Sequence, residues 1–296
     1  MNRDPRRGIL LMIATVFVFA CQDGFSRLLA DNYNTLMVVM IRYWVFAVFV
    51  LILLLRRRDG IRAAVHSRHM PAHALRSVLL VAEICVMVWA YTLIGLIASH
   101  AVFAVCPLLV VALSGPLLGE RISWRRWGAV ALGCIGVLII LRPGAGVFSW
   151  YALLPLASAF MFGLYSVLTR LVTRDEPSFP AFFWPPIIGA ALMTPVGLLH
   201  WQAVTPRDWG LLLVYGLLSV LSNWLMQKTY ESAEASSVQP FAYLQIVFVT
   251  GIGLTFFHES LALQMVIGAA VVIAAGLYTL YLARAETRTP PESPLA

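Results

Sequence analysis

One acidic residue, Glu83, stands near the middle of a predominantly apolar stretch spanning residues 72–94. A carboxylate at the centre of a bilayer costs roughly 2.5–3.5 kcal/mol on insertion scales, so it faces a cavity or a partner. Glu83 is therefore read as a ligand for a substrate ammonium or as a proton-coupling group. The structural alternative is a protonated acid hydrogen-bonded between helices. Asp23, Arg27 and Arg42 form a second ionisable group. Asp23 and Arg27 are four residues apart and can pair along one helix face, and Arg42 can join them through Asp23 or Asp31. Charges inside a membrane pair with one another, so a gating or structural ion-pair cluster is expected here rather than substrate contact.

Uncharged polar and aromatic residues recur at helical spacing. Ser99, Phe103 and Cys106 share one face. Pro107 cannot donate to the carbonyl of Phe103, which opens the helical ladder for a ligand or for a bend. Phe162, Tyr165 and Ser166 form a comparable face, as do Asn223 with Gln227 and Gln239 with Tyr243. Mixed faces of this kind line cavities for amphipathic solutes, although interhelical hydrogen bonding uses the same residue types. Glu83, Ser99, Phe103, Cys106, Pro107, Phe162, Tyr165, Asn223, Gln227, Gln239 and Tyr243 make up the expected substrate-binding set.

Other chemistries find little support. His66, His69 and His73 can share a face, but no carboxylate or thiolate completes a metal site, and a solvated basic loop is expected. Cys21, Cys85, Cys106 and Cys134 fall in apolar runs without CxxC spacing, as buried packing residues do. No nucleophile–base set, HExxH, Walker A or dinucleotide-binding glycine motif stands in a suitable context. Neither an enzyme nor an ATP-driven pump made of this chain alone is expected, and no metal or cofactor is implied.

The elements that position these residues follow from composition. The chain has 296 residues, of which 60% are hydrophobic and 12% charged. A soluble domain carries about 25% charged residues, so this is a polytopic membrane protein. The net charge of +7 comes from arginines in short loops between apolar runs, the distribution of cytoplasmic membrane loops and not of a nucleic-acid-binding face. Ten spans can be placed, at 8–30, 36–55, 72–94, 97–118, 125–142, 149–172, 180–199, 207–229, 236–257 and 261–283. The first follows Arg3, Arg6 and Arg7 without a cleavage pattern and is read as a retained helix. With a cytoplasmic N-terminus, 17 of the 21 Lys and Arg residues fall on the cytoplasmic side, with Arg27, Arg142 and Arg207 opposite and Arg42 inside the second span. Both termini are then cytoplasmic. The tail at 286–296 is polar and proline-rich, and disorder is expected there.

The halves repeat. A shift of 139 maps Tyr91, Val110 and Glu120 onto Tyr230, Val249 and Glu259. A shift of 143 maps Ala14, Phe17, Phe19 and Arg27 onto Ala157, Phe160, Phe162 and Arg170. Five spans per half invert the second copy, which predicts an all-α membrane protein of ten transmembrane helices as a 5+5 inverted-topology repeat, residues 1–145 and 146–285. Interrupted spans in corresponding halves point to a transporter's substrate site near the midplane. Ala129, Gly133 and Gly136, and separately Gly268, Ala275 and Gly276, give the fifth and tenth spans surfaces for close packing within a monomer or in a homodimer.

Phe19 to Arg27 (FACQDGFSR), Arg42-Tyr43 and Pro116 to Glu120 (PLLGE), weakly repeated at Phe256-Phe257-His258-Glu259, resemble the drug/metabolite transporter superfamily with its EamA-type repeats. The resemblance covers nearly all of residues 8–283. It implies a bacterial inner-membrane transporter working by alternating access. Ala82-Glu83-Ile84-Cys85 looks like the equivalent stretch in the superfamily's aromatic amino acid exporters. Those exporters carry large aromatics before the helix-4 proline and in helix 6, where this chain has Ala104, Cys106 and Phe162, a departure that enlarges the cavity. The expectation is export of small amphipathic metabolites, amino acids first. A drug cation, riboflavin or a nucleoside-like metabolite is the alternative cargo, and a membrane-embedded enzyme or a non-transporting subunit the lesser alternative.

Overall fold

A computed structural model of the chain describes residues 5–56, 66–119, 122–141, 150–173, 178–232 and 241–288. They form eleven α-helices and a 3-10 turn: α1 (Pro5–Asn32), α2 (Thr35–Leu55), α3 (Met70–Ile94), α4 (Leu96–Phe103), α5 (Cys106–Leu118), α6 (Trp124–Leu141), the turn Trp150–Ala152, α7 (Leu153–Thr173), α8 (Ser178–Leu199), α9 (Pro206–Ser232), α10 (Leu244–Phe256) and α11 (Leu263–Arg288). Seven stretches, with α4 and α5 taken as one, are long and apolar enough to cross a membrane by length and composition.

Local sequence explains the boundaries. Asn34 caps α2, its side chain accepting from the Leu36 N–H at 2.9 Å. Pro71 opens α3, where a missing N–H costs nothing. Gly95, at φ +89°, ends α3 and reverses the chain into α4. The fourth span then breaks between Phe103 and Cys106, one turn before Pro107, as the lost donor predicts. The ninth span breaks at Tyr243, so α10 is shorter than the 236–257 run, of which 236–240 lies outside the described residues. The expected disordered tail needs correction at its start. Residues 286–288 continue α11, whose last turns carry alanine, arginine and glutamate, all good helix formers; 289–296 lie outside the described residues.

The two halves interlock instead of sitting side by side. The long helix α1 packs along α9 and α10, while α7 packs along α3 and the broken pair α4–α5. Contact of α2 with α9 is matched by contact of α8 with α3, and α2 lies against α8. Exchanging first-half for second-half helices reproduces this pattern. The main buried core sits between them, with Met37 and Met40 of α2, Ile84 and Met87 of α3, and Leu212 and Tyr215 of α9.

The helices α6 and α11 pair at one side, and small residues set their spacing. A Cβ at Gly136 would lie 2.9 Å from the Gly268 carbonyl oxygen and 2.8 Å from Val272, so the backbones touch there. The small-residue surfaces read from the sequence thus meet within one chain. Gly136→Ala is expected to lower stability by about 1–3 kcal/mol, the usual cost of overpacking. Thermal unfolding in detergent measures it, and an unchanged midpoint would mean that the pair relaxes apart freely.

Candidate functional site

The interrupted helices gather the buried ionisable groups. Glu259 follows α10 after His258, which adopts φ +51°, a left-handed conformation uncommon for a residue with a side chain. That turn aims the Glu259 carboxylate across the molecule at the start of α4. There it accepts the Leu96 N–H at 2.7 Å and the Ile97 N–H at 2.8 Å. The first turn of a helix has unpaired N–H groups and the positive end of its dipole, so a carboxylate fits both. Glu259 also pairs with Arg27 of α1, whose guanidinium lies 4.6 Å above the Phe257 ring and 3.7 Å from Asp31.

Asp23, one turn earlier on α1, goes elsewhere. Its Oδ2 lies 3.1 Å from His100 Nε2 of α4 and accepts from Gln245 Nε2 of α10 at 3.1 Å. The Tyr91 hydroxyl of α3 lies 3.0 Å from the same His100 nitrogen. Three broken or terminated helices therefore meet on one acid–imidazole pair, its histidine buried and its acid half-buried. Asp23 and Arg27 do not pair with each other: Asp23 meets His100 and Gln245, while Arg27 meets Glu259 and, along its own helix face, Asp31.

From His100 a row of rings runs between α3, α4 and α7. Tyr91 stacks on His100 with centroids 5.5 Å apart, and His100 meets Phe103 edge-on at 6.1 Å. Phe103 lies 5.8 Å from Phe162, and Phe162 lies 5.7 Å from Tyr165. Arg76 of α3 covers the Tyr165 ring at 5.2 Å. The sequence candidates Phe103, Phe162 and Tyr165 are thus one continuous wall.

Glu83 is buried, and its carboxyl accepts the Ser158 hydroxyl of α7 at 2.8 Å. Arg42 sits within electrostatic reach of Glu83. Its Nε donates to Ser219 of α9 at 2.8 Å, and the guanidinium lies near the Tyr43 and Tyr215 rings. Arg42 therefore does not complete an ion-pair cluster with Asp23 or Asp31, since its position on α2 turns it toward α9. Asn223 donates to the Ser219 carbonyl at 2.8 Å, one turn from Arg42's partner.

The remaining expected residues divide. Ser99 is fully buried and donates to the Gly95 carbonyl at 2.7 Å, closing the first turn of α4 in place of facing a cavity. Cys106 and Pro107 form the start of α5, with Cys106 buried in a second apolar cluster. Tyr243 packs against Gly276 of α11, and its hydroxyl has no hydrogen-bond partner. The Gln227 side chain, Gln239 and Glu120 lie outside the described residues. His73, expected in a solvated loop, is wholly buried on α3 beside Arg76. His100 escaped the sequence reading, although a histidine nine residues from Tyr91 across Gly95 is a usable signal.

A bundle of apolar helices with broken spans, buried acids and bases, and a shared aromatic wall defines an integral membrane transporter. The chain belongs to the EamA-like transporter family, within the drug/metabolite transporter superfamily: residues 6–142 and again 149–281 match the family. It is a multi-pass protein of the bacterial inner membrane. It is 29% identical to a riboflavin transporter of Brucella anthropi, over 85% of this chain and 90% of the relative. It is 23% identical to an S-adenosylmethionine uptake transporter of Rickettsia prowazekii, over 97% and 96%. A solved crystal structure at 16% identity superposes with a TM-score of 0.65, covering 98% of this chain and all of the other, which speaks to the fold.

Proposed function

We propose that the chain is a secondary transporter that exports amphipathic metabolites bearing a ring or other flat apolar portion, by alternating access between halves 1–145 and 146–285. The halves are inverted copies with both termini cytoplasmic, ten spans in all. The exchange symmetry of the helix packing supports this arrangement. The observation that carries the cargo class is the continuous row Tyr91–His100–Phe103–Phe162–Tyr165 beside buried Glu83. Rings present area that stacks with a flat solute at low entropic cost, and the acid orients a polar group. Riboflavin is the first cargo to test, given the riboflavin transporter among the relatives. Amino acids are the second, favoured by Glu83, which suits an ammonium.

The experiment is flux from proteoliposomes loaded with riboflavin, S-adenosylmethionine, aromatic and aliphatic amino acids or a quaternary ammonium dye. Phe162→Ala is expected to reduce flux of ring-bearing cargo about two- to tenfold, the equivalent of about 0.5–1.5 kcal/mol for a ring pair, and to spare aliphatic cargo. Equal losses for both kinds would remove the aromatic row from recognition. Absence of any flux from folded protein would overturn transport itself.

A further inference from the structure

Most of the charges described inside the bundle have an opposite charge nearby. Arg27 pairs with Glu259, Arg42 has Glu83 within electrostatic reach, and His100 pairs with Asp23. Arg76, two turns into α3, is 1% exposed, and among the described residues no carboxylate pairs with it. Its Nη2 donates to the Ala181 carbonyl of α8 at 2.9 Å and lies 3.5 Å from the Tyr165 hydroxyl. Its Nη1 lies 3.4 Å from His73 Nδ1, and its Nε has no partner. A guanidinium stays protonated at any physiological pH, so burial cannot be relieved by losing the charge. A buried charge of this kind calls for a counter-charge and for acceptors on its remaining N–H groups.

The position of Arg76 says where that counter-charge comes from. The guanidinium lies on Tyr165, the last ring of the aromatic row, so a solute lying along Phe103, Phe162 and Tyr165 brings one end to it. We propose that Arg76, with Tyr165, is an anion-recognition point of the transport site, taking a carboxylate or phosphate on a solute whose apolar body lies on the aromatic row. The planar fork of N–H donors fits both groups. The assignment rests on the transporter reading above, and it moves the preference from neutral riboflavin to solutes with an anionic end.

Thermal stabilisation of the purified protein by matched pairs tests it, since ligand binding raises the unfolding midpoint by mass action. Phenylalanine against phenylalaninamide isolates a carboxylate, and flavin mononucleotide against riboflavin isolates a phosphate. The anionic member of at least one pair is expected to bind at least tenfold more tightly. That preference should vanish in Arg76→Gln and survive partly in Arg76→Lys, which keeps the charge without the fork. A purely structural Arg76 would shift both members of a pair alike. If Arg76→Gln does not fold, the wild-type preference and its reduction in Arg76→Lys decide. No preference in the wild type, or one unchanged in the variants, overturns the assignment. Flux without anion preference removes the Arg76 site and leaves transport standing. Anion preference without flux of any solute does the reverse.

Discussion

Glu259→Gln is expected to cut transport about a hundredfold. The carboxylate of Glu259 holds two backbone N–H groups of α4 and the guanidinium of Arg27 at once. An amide oxygen can keep one of the N–H bonds but leaves the half-buried Arg27 without its acid, and a hydrogen bond to a charged group is worth about 1.5–3 kcal/mol. At about 1.4 kcal/mol per tenfold, a loss of that size shifts the balance between conformations far from cycling. In the proposed alternating-access cycle, a helix terminus tied by a residue some 160 positions later would act as a gate, because the contact would break as the halves move. The double variant Arg27→Gln/Glu259→Gln is expected to recover much of the loss, since it leaves no charge stranded. Flux in proteoliposomes at equal folded protein measures both. If the double variant is as impaired as the single one, the pair acts through something other than charge balance.

Glu83→Gln carries the second large effect, a fall in flux of at least tenfold with a smaller loss of stability than Glu259→Gln, because no direct ion pair joins Glu83 to Arg42 among the described residues. Glutamine has nearly the shape of glutamate, and its amide oxygen can accept the Ser158 hydroxyl as the carboxyl does at 2.8 Å. The substitution therefore keeps the α3–α7 bond and removes only the ability to carry charge next to Arg42. An acid that merely links two helices would not notice. An acid that binds an ammonium or moves a proton would lose its role. Flux and thermal unfolding of the same preparation separate the two, and full flux from Glu83→Gln would make Glu83 a structural acid.

Much of this was legible in the sequence because it depends on residues near one another in the chain. The helical spans follow from apolar runs, and the break before Cys106 follows from one missing N–H at Pro107. Glu259 was marked by the internal shift that pairs it with Glu120, and Phe103, Phe162 and Tyr165 by their spacing. Periodicity says which residues share a face, but not which face lies opposite. Hence Asp23 and Arg27, which spacing would pair, have partners on α4, on α10 and in the turn after α10. Hence too Arg76, one of the 17 basic residues on the cytoplasmic side of the predicted topology, is buried against α7 and α8. His100 carried only the signal of its spacing from Tyr91 across Gly95, since its role exists only where Gly95 folds α4 back beside Tyr91.

The interlocking of the halves bears on how the protein is made. A ribosome adds about 5–20 residues per second, so α1 to α3 wait on the order of ten seconds before α7 to α10 exist to cover them. During that interval Asp23, Arg42, Arg76 and Glu83 have no partners from the second half and sit among lipids and insertion machinery. Newly made chains are therefore expected to be most open to membrane proteases before synthesis ends, and a second half supplied as a separate polypeptide is expected to protect the first.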